Sequence, residues 1–508
     1  MKRVSNIEFL KLNKAQKLWY KIKHSIINIP TIIALFLKKI LIIIKNFFSN
    51  LFDNFADIFY TFKKGDYKTR ISFFIMGFGN IARGQLLRGF MFFLFQIIFI
   101  FYMVSTGAYY ISKVDNLGDF ETSVITQIDP NTGREVQVTV VGENSFKILL
   151  YGVISILFVI AFIYTWRINI RQNKIAQEII DSGKKIKSGK QDIKSLVDDQ
   201  FHKTLLALPI TGIIIFTILP LLFMVLIAFT NYDGQHTPPS KLFTWVGLDN
   251  FNQLITWSSN GANFSATFGE ILVWTLIWAC FATFSNYFLG MVVAIMINKK
   301  GIKFKKLWRT ILVITIAVPQ FISLLYVSKM FSTSGIVNGF LKDLGLISQP
   351  IDFWGNKTLA RIMVIVINLW VGIPYIMLIA TGILMNIPQD LYESAKIDGA
   401  NTFQQYVKIT LPYMLFVTGP YLLTSFISNM NNFNVIYLLT GGAPDSIFLT
   451  GGAGYTDLLV TWLYKLTIDR SQYNLAAVIG IMVFFVVSII SLIVYNIMPS
   501  IKNEEDYQ

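Results

Sequence analysis

The chain of 508 residues is 54% hydrophobic and 14% charged, with a mean hydropathy of +0.55. That composition excludes a soluble globule and indicates a polytopic membrane protein, all-α in its spans. The formal charge of +15 invites a nucleic-acid reading, but Lys and Arg collect in segments between apolar runs, as the positive-inside rule expects, so no nucleic-acid partner is predicted.

Residues 1–87 are basic and amphipathic. The stretch 26–44 is apolar, yet Lys38 and Lys39 fall in its middle, where a charge costs about 2.5–3.5 kcal/mol on insertion scales. Helices lying in the inner interface, with Lys snorkelling and Phe and Ile inserted, are therefore expected over 26–62; a span over about 26–48 is the alternative. No early apolar stretch ends in a small-residue cleavage site, so no cleavable signal peptide is expected. Gly77-Phe78-Gly79-Asn80 with Arg83-Gly84-Gln85 reads as a glycine-rich bend feeding the first span.

Eight spans are predicted, over 88–112, 147–166, 205–230, 269–297, 310–331, 359–385, 414–438 and 474–497. Each is long enough to cross about 30 Å of hydrocarbon. The organisation is an interfacial region (1–87), two spans joined by an outer loop (88–166, loop 113–146), a cytoplasmic linker (167–204), a six-span core (205–497) and a tail (498–508). The Lys/Arg-rich segments 167–203 and 299–309 and the N-terminal arm fall on one side when spans alternate, which puts both termini and segment 386–413 in the cytoplasm. In the first outer loop, 123–128 and 136–140 alternate around Asp129-Pro130-Asn131-Thr132-Gly133 and predict a small β-hairpin. Residues 167–202 read as a polar helical hairpin or linker whose charges form a solvated face.

Residues 386–413 form the most polar long segment of the C-terminal half and read as helix, turn, helix. Asp390 stands in the first helical turn, at the positive end of the helix. Leu391, Ala395 and Ile397 give that helix an apolar side, and Gly399 permits a sharp bend. Phe403, Tyr406, Val407 and Ile409 or Thr410 line one face of the second helix. Pro412 is expected to stop it before the next span.

Glu393, Ser394 and Ala395, then Gly399, then Ile409, Leu411 and Pro412 follow the pattern Glu-Ala-Ala, three residues, Gly, nine residues, Ile-x-Leu-Pro, with Ser394 for Ala the only departure. The segment resembles the coupling loop of importer permeases driven by ATP-binding cassettes; an ordinary inter-span loop would leave this spacing unexplained. The resemblance implies a helix seated in a cleft of an ATPase subunit, with Glu393 making the contact and Gly399 the turn. Phe229-Thr230-Asn231-Tyr232, Trp245-Val246-Gly247-Leu248-Asp249-Asn250-Phe251, Asn431-Asn432-Phe433 and Gly452-Ala453-Gly454-Tyr455-Thr456-Asp457-Leu458-Leu459 are similar to segments of sugar permeases, the last of them to the maltose/maltodextrin (MalF-type) branch. The likeness covers about 205–497 well and 66–204 more weakly. The proteobacterial form carries a large periplasmic domain that no outer loop here can hold, so the chain resembles the Gram-positive or wall-less version.

No predicted span core carries an ionisable residue; Glu270, Lys299, Lys329 and Arg361 lie near span ends. That disfavours an ion-coupled transporter and intramembrane catalysis. There is no GxxxxGK[ST] phosphate loop, so ATP is expected on a partner and no cofactor on this chain. The single Cys280 lies in an apolar run and His24, His202 and His236 are scattered, so neither a disulfide framework nor a metal site is expected. The seventh span instead concentrates Ser425, Ser428, Asn429, Asn431, Asn432 and Asn434, with Ser425, Asn429 and Asn432 on one helical face. Helix–helix hydrogen bonding is one use for such a cluster. A polyol site is the other, with Tyr375, Phe426 and Phe433 as aromatic faces.

The resemblance implies sugar contacts at Val371, Gly372, Tyr375, Ser425, Ser428, Asn429, Asn432 and Asn434. Ser428 and Asn434 depart from the proteobacterial aromatic and Val, which puts stacking and preferred sugar length in question. Gly372 and Pro374 are expected to interrupt the sixth span beside a cavity. The reading is a permease subunit for maltose or maltodextrin, working by alternating access with a second permease (MalG-type), an ATPase dimer (MalK-type) and an extracellular sugar-binding lipoprotein. The alternatives are another oligosaccharide or glycerol phosphate, the latter disfavoured by the lack of basic residues in the seventh span, and a membrane insertase or scaffold.

Overall fold

The computed structural model describes residues 55–497, apart from 129–133, 187–188, 257–262 and 300, together with isolated positions 38, 42, 45, 46 and 49. But for those isolated positions, the stretch 26–48 lies outside the described residues, as do the hairpin turn and the tail 498–508. Among the described residues, seven helices are long and apolar enough to cross a membrane, or eight if a bent pair counts as one. They are Leu86–Lys113, Ser145–Asp181, Phe201–Ile227, Phe264–Asn298, Lys357–Leu384, Thr402–Leu439 and Tyr473–Tyr495. The bent pair, Lys305–Ala317 and Gln320–Met330, turns by 91° where a straight span over 310–331 was expected. Pro319 is the reason: it pushes Val318 to an extended conformation (ψ 126°) and restarts the helix in a new direction.

The chain divides into two compact units, Met1–Tyr109 with Ile154–Thr211, and Tyr110–Val153 with Gly212–Gln508. The Ser145–Asp181 helix, which enters the first unit at Ile154, runs well past the apolar stretch, because no Gly or Pro follows that stretch before Gly183. Phe99 stacks on Phe162 at 3.9 Å, and Tyr102 Oη lies 2.9 Å from Ser155 Oγ. The glycine-rich bend forms as expected, held by amides from that helix. Asn169 Oδ1 accepts from Gly77 N at 2.9 Å, and Arg83 donates to Asn173 Oδ1 at 2.9 Å while pairing with Asp66 at 2.5 Å.

The second unit holds the predicted hairpin, β1 (Ser123–Ile128) antiparallel to β2 (Glu135–Val140), with Ser123 opposite Val140. Its flanks pack on the next outer loop: Trp245 Nε1 donates to Val114 O at 2.7 Å and Thr122 Oγ1 to Pro239 O at 2.8 Å. The core lies among the Phe264–Asn298, Lys357–Leu384 and Thr402–Leu439 helices. One cluster gathers Trp274, Trp278, Val364, Ile367, Val435 and Ile436, and a second gathers Tyr287, Met291, Ile376, Met377 and Met414.

Candidate functional site

The helix Gln389–Ile397 carries Asp390 in its first turn, as expected. It closes by a paired turn in which Gly399 N donates to Lys396 O (3.0 Å) and Ala400 N to Ala395 O (2.8 Å). This is the Schellman arrangement, which requires a left-handed residue, and Gly399 has φ +79°. Asn401 and Gln404 then form a reciprocal capping box that starts the next helix. Tyr392 Oη and Thr410 Oγ1, 2.9 Å apart, tie the two helices together. Glu393, Ser394, Leu391 and Ile397 are exposed, the last at 86%. Among the described residues Glu393 has no ion pair. The apolar side of this helix thus faces outward, available to a partner.

Pro412 does not stop the second helix. Residues Thr402–Gln405 run through a π-turn, Tyr406–Thr410, into Leu411–Met430. The wider turn falls immediately before Pro412, where the helix has to accommodate a residue without an amide hydrogen. It carries Ile409, with Leu411 and Pro412 directly after it, at the junction between the polar segment 386–413 and the span.

The polar cluster is arranged differently from a single helical face. The helix ends at Met430, and a new one, Phe433–Leu439, begins with Asn432 as its cap. Asn432 Oδ1 accepts from Val435 N at 3.2 Å, and its Nδ2 makes a long contact, 3.4 Å, to Asn429 Oδ1. Asn429 Nδ2 donates to Thr283 Oγ1 at 3.0 Å, and Asn429 O accepts from Trp278 Nε1 at 3.0 Å. Part of the cluster therefore serves helix–helix bonding. Two successive amides compete with the helix backbone, Asn431 Nδ2 donating to Ile427 O at 3.2 Å and Asn432 Oδ1 accepting from Val435 N, which explains why the helix breaks here. Ser428 and Asn434 are exposed and Ser425 is half-buried, hydrogen-bonded to Tyr421. Phe433 stacks on Tyr437 at 4.7 Å rather than standing free.

The sixth span is not interrupted. Lys357–Leu384 is one helix with Pro374 buried inside it. Packing on both sides holds it: a Cβ at Gly372 would stand 2.5 Å from Asn286 Nδ2, so Gly372 serves close helix approach. Val371 packs on the core and Tyr375 is 52% exposed. Sequence reasoning missed Thr283, Asn286 and Asn368. Asn286 Oδ1 and Asn368 Nδ2 are buried with no hydrogen-bond partner among the described residues. Their signal was available: Asn368 precedes Gly372 by one turn, and Thr283 and Asn286 are neutral polar residues inside an apolar run.

Beyond Leu439 the chain forms a loop braced from beneath. Asp457 is fully buried and pairs with Lys465 at 2.7 Å, while accepting from Gly454 N at 2.7 Å and Thr461 Oγ1 at 2.8 Å. Burial pushes its carboxyl above the usual range, against the pull of Lys465. Glu270 pairs with Lys357 (2.8 Å) and Arg361 (3.0 Å), and Arg361 also donates to Tyr455 O at 2.8 Å. These contacts give a structural use to charges that the sequence places only near span ends.

A family model described as the binding-protein-dependent transport system inner membrane component matches residues 286–502. The maltodextrin permease MalC of Streptococcus pneumoniae is 34% identical over 440 residues, 85% of this chain and 95% of MalC. The Bacillus subtilis galactooligosaccharide permease GanP is 37% identical over 354 residues, 68% of this chain and 82% of GanP. The maltodextrin permease MdxF of the same organism is 33% identical over 455 residues, 88% of this chain and 99% of MdxF. Proteins of this family are multi-pass membrane components that work with a binding protein and a separate ATPase and are not themselves catalytic. The chain belongs to this family of binding-protein-dependent ABC importer permeases, in the branch that holds the maltodextrin permeases.

Proposed function

We propose that the chain carries maltose or maltodextrin across the membrane together with a MalG-type second permease, a MalK-type ATPase dimer and an extracellular sugar-binding lipoprotein. The observation that carries this reading is the neutral polar cluster at a helix break on the same run, Thr402–Leu439, that begins at the coupling segment. Neutral amides and hydroxyls suit an uncharged polyol, and an exposed Tyr375 supplies an aromatic face. The cargo would meet Val371, Gly372, Tyr375, Ser425, Ser428, Asn429, Asn432 and Asn434. Glu393, Ser394, Ala395 and Gly399 would meet the ATPase, with Ile409, Leu411 and Pro412 joining that contact to the span. The termini and the coupling segment lie in the cytoplasm in this reading, where the basic linker also falls.

The test is uptake of labelled maltotriose by the reconstituted complex. Asn432→Ala and Tyr375→Ala are each expected to lower uptake while the subunits still copurify. Normal uptake by both variants would remove this assignment. A galactooligosaccharide is the second reading, favoured by the 37% identity to GanP. It predicts uptake of galactobiose in preference to maltotriose.

A further inference from the structure

The loop after Leu439 borders an open cavity of about 500 Å³ with Phe264, Asp445, Ser446, Thr450, Arg470 and Gln472 among its lining residues. It stands beyond the opposite end of the Thr402–Leu439 run from the coupling segment; at 1.5 Å per residue those 38 residues make a helical path of roughly 55 Å, longer than a bilayer core is thick. The volume lies within the range of small-molecule sites, about 300–1,000 Å³. We propose that this cavity is a second saccharide subsite, holding a neutral sugar on the face remote from the ATPase. The inference rests on the oligosaccharide reading above.

The lining carries the argument. Phe264 presents a ring backed by Trp462, stacked at 6.0 Å and 26° between planes. Such a rigid apolar plate suits the C–H face of a pyranose. Among the described residues, neither the Asp445 carboxylate nor the Arg470 guanidinium has a side-chain partner. Arg470 lies against Gly452, its Nε 3.2 Å from where a Cβ would stand. A free acceptor and a free planar donor in one cavity suit neighbouring sugar hydroxyls, and Asp445 disfavours an acidic sugar. Among the described residues, Gln472 Oε1 in the cavity wall is a buried acceptor without a partner, and Trp462, which backs Phe264 from behind the wall, has an unpaired Nε1. Buried polar groups ordinarily find partners, so the unpaired Gln472 acceptor in a wall of mixed polar and apolar character is consistent with a hydroxylated occupant. The buried Asp457–Lys465 pair and the Arg361–Tyr455 bond hold the loop from below, so the cavity is built on a fixed base.

The test is photolabelling of the full-length chain, in its complete complex in lipid nanodiscs, with a diazirine-bearing maltotriose followed by peptide mapping. Label is expected within residues 445–472 without added binding protein, displaced by plain maltotriose. Arg470→Ala and Gln472→Leu should each weaken it about tenfold, the scale of one lost hydrogen bond to a charged or desolvated group. Arg470 is exposed, so that variant leaves the packing intact. Label confined to the spans, unchanged label in both variants, or label that requires the binding protein would overturn the proposal. If label in the spans and maltotriose uptake persist while 445–472 stays unlabelled, the second subsite alone falls. If the complex neither takes up nor binds maltotriose anywhere, the cargo reading falls with it.

Discussion

Gly399 isolates the geometry of the coupling turn from its packing. Its φ is +79°, and nothing lies within 4 Å of where a Cβ would stand. A side chain there meets open space, so the cost of a substitution is that of the backbone alone. Alanine in a left-handed conformation costs about 1–2 kcal/mol, enough to shift a local equilibrium roughly 5–30-fold. Proline is worse on two counts: its ring forces φ near −65°, and it deletes the Gly399 N–H that donates to Lys396 O at 3.0 Å. Asparagine tolerates the left-handed region and is the control. Sugar-stimulated ATP hydrolysis by the reconstituted complex should rank wild type and Gly399→Asn first, Gly399→Ala below them, and Gly399→Pro near the unstimulated rate. Melting of the complex should move little across the series, because the turn is exposed. Full stimulation in the Gly399→Pro complex would refute both the turn's role and the docking of the Gln389–Ile397 helix.

Glu393→Ala should weaken retention of the ATPase during purification by about 1.5–3 kcal/mol, the scale of a hydrogen bond to a charged group; undiminished retention counts against the contact. Asp457→Ala should destabilise the core unit by about 3–5 kcal/mol, since it strands Lys465, whose side chain is 11% exposed. Asp457→Leu with Lys465→Met should recover most of that loss in thermal melting, and no recovery would mean that the loop is held by other contacts. Lys174 and Arg167 hydrogen bonds hold the Asp57 carboxyl below its usual range. A folded pKa below the unfolded one adds stability that is complete above the unfolded value, about 4, and is lost as pH falls through the folded value. The melting gap between wild type and Asp57→Asn should therefore narrow below about pH 4; a constant gap would contradict the ion-pair account.

The spans were legible because a lipid-facing helix has to be apolar along its whole length, and the hairpin was legible because alternation flanked a turn. The helix ends were less so. Apolarity stops at the edge of the hydrocarbon, but helix hydrogen bonding does not, so Ser145–Asp181 and Thr402–Leu439 both run on through polar residues. Proline misled in both directions. Pro319 breaks a span that reads as continuous, while Pro374 and Pro412 sit within helices that read as broken. The difference lies in what surrounds each residue. Pro374 is buried between helices in close approach, and a π-turn precedes Pro412, whereas Pro319 follows a residue free to extend. None of that context is local in sequence. The candidate site shares this limit: Asn429 and Asn432 stand out as polar residues in a span, but Thr283 and Asn286, their counterparts on another helix, gain meaning only once the helices are packed.

The position of the helix break bears on how a movement at the coupling segment would reach the cargo. A straight helix displaces as a body, since shifting one turn relative to the next costs backbone hydrogen bonds. Between Leu411 and Met430 the chain stays one helix, although Pro420 inside it removes one backbone donor; the larger irregularities are the π-turn below and the Asn431–Asn432 break above. Tyr392 and Thr410 join the short coupling helix to the lower end at 2.9 Å, and Asn429 with Trp278 and Thr283 joins the upper end to the neighbouring span. A push on Gln389–Ile397 would thus arrive at Asn429 and Asn432 with little loss. It would be taken up where unwound backbone and side-chain amides can exchange partners at small cost. Asn429 would then trade its bond to Thr283 for one to the sugar as the spans rearrange. On this account Thr283→Val should alter the sugar dependence of ATP hydrolysis more than it alters stability, because it removes a partner that the cycle itself has to release.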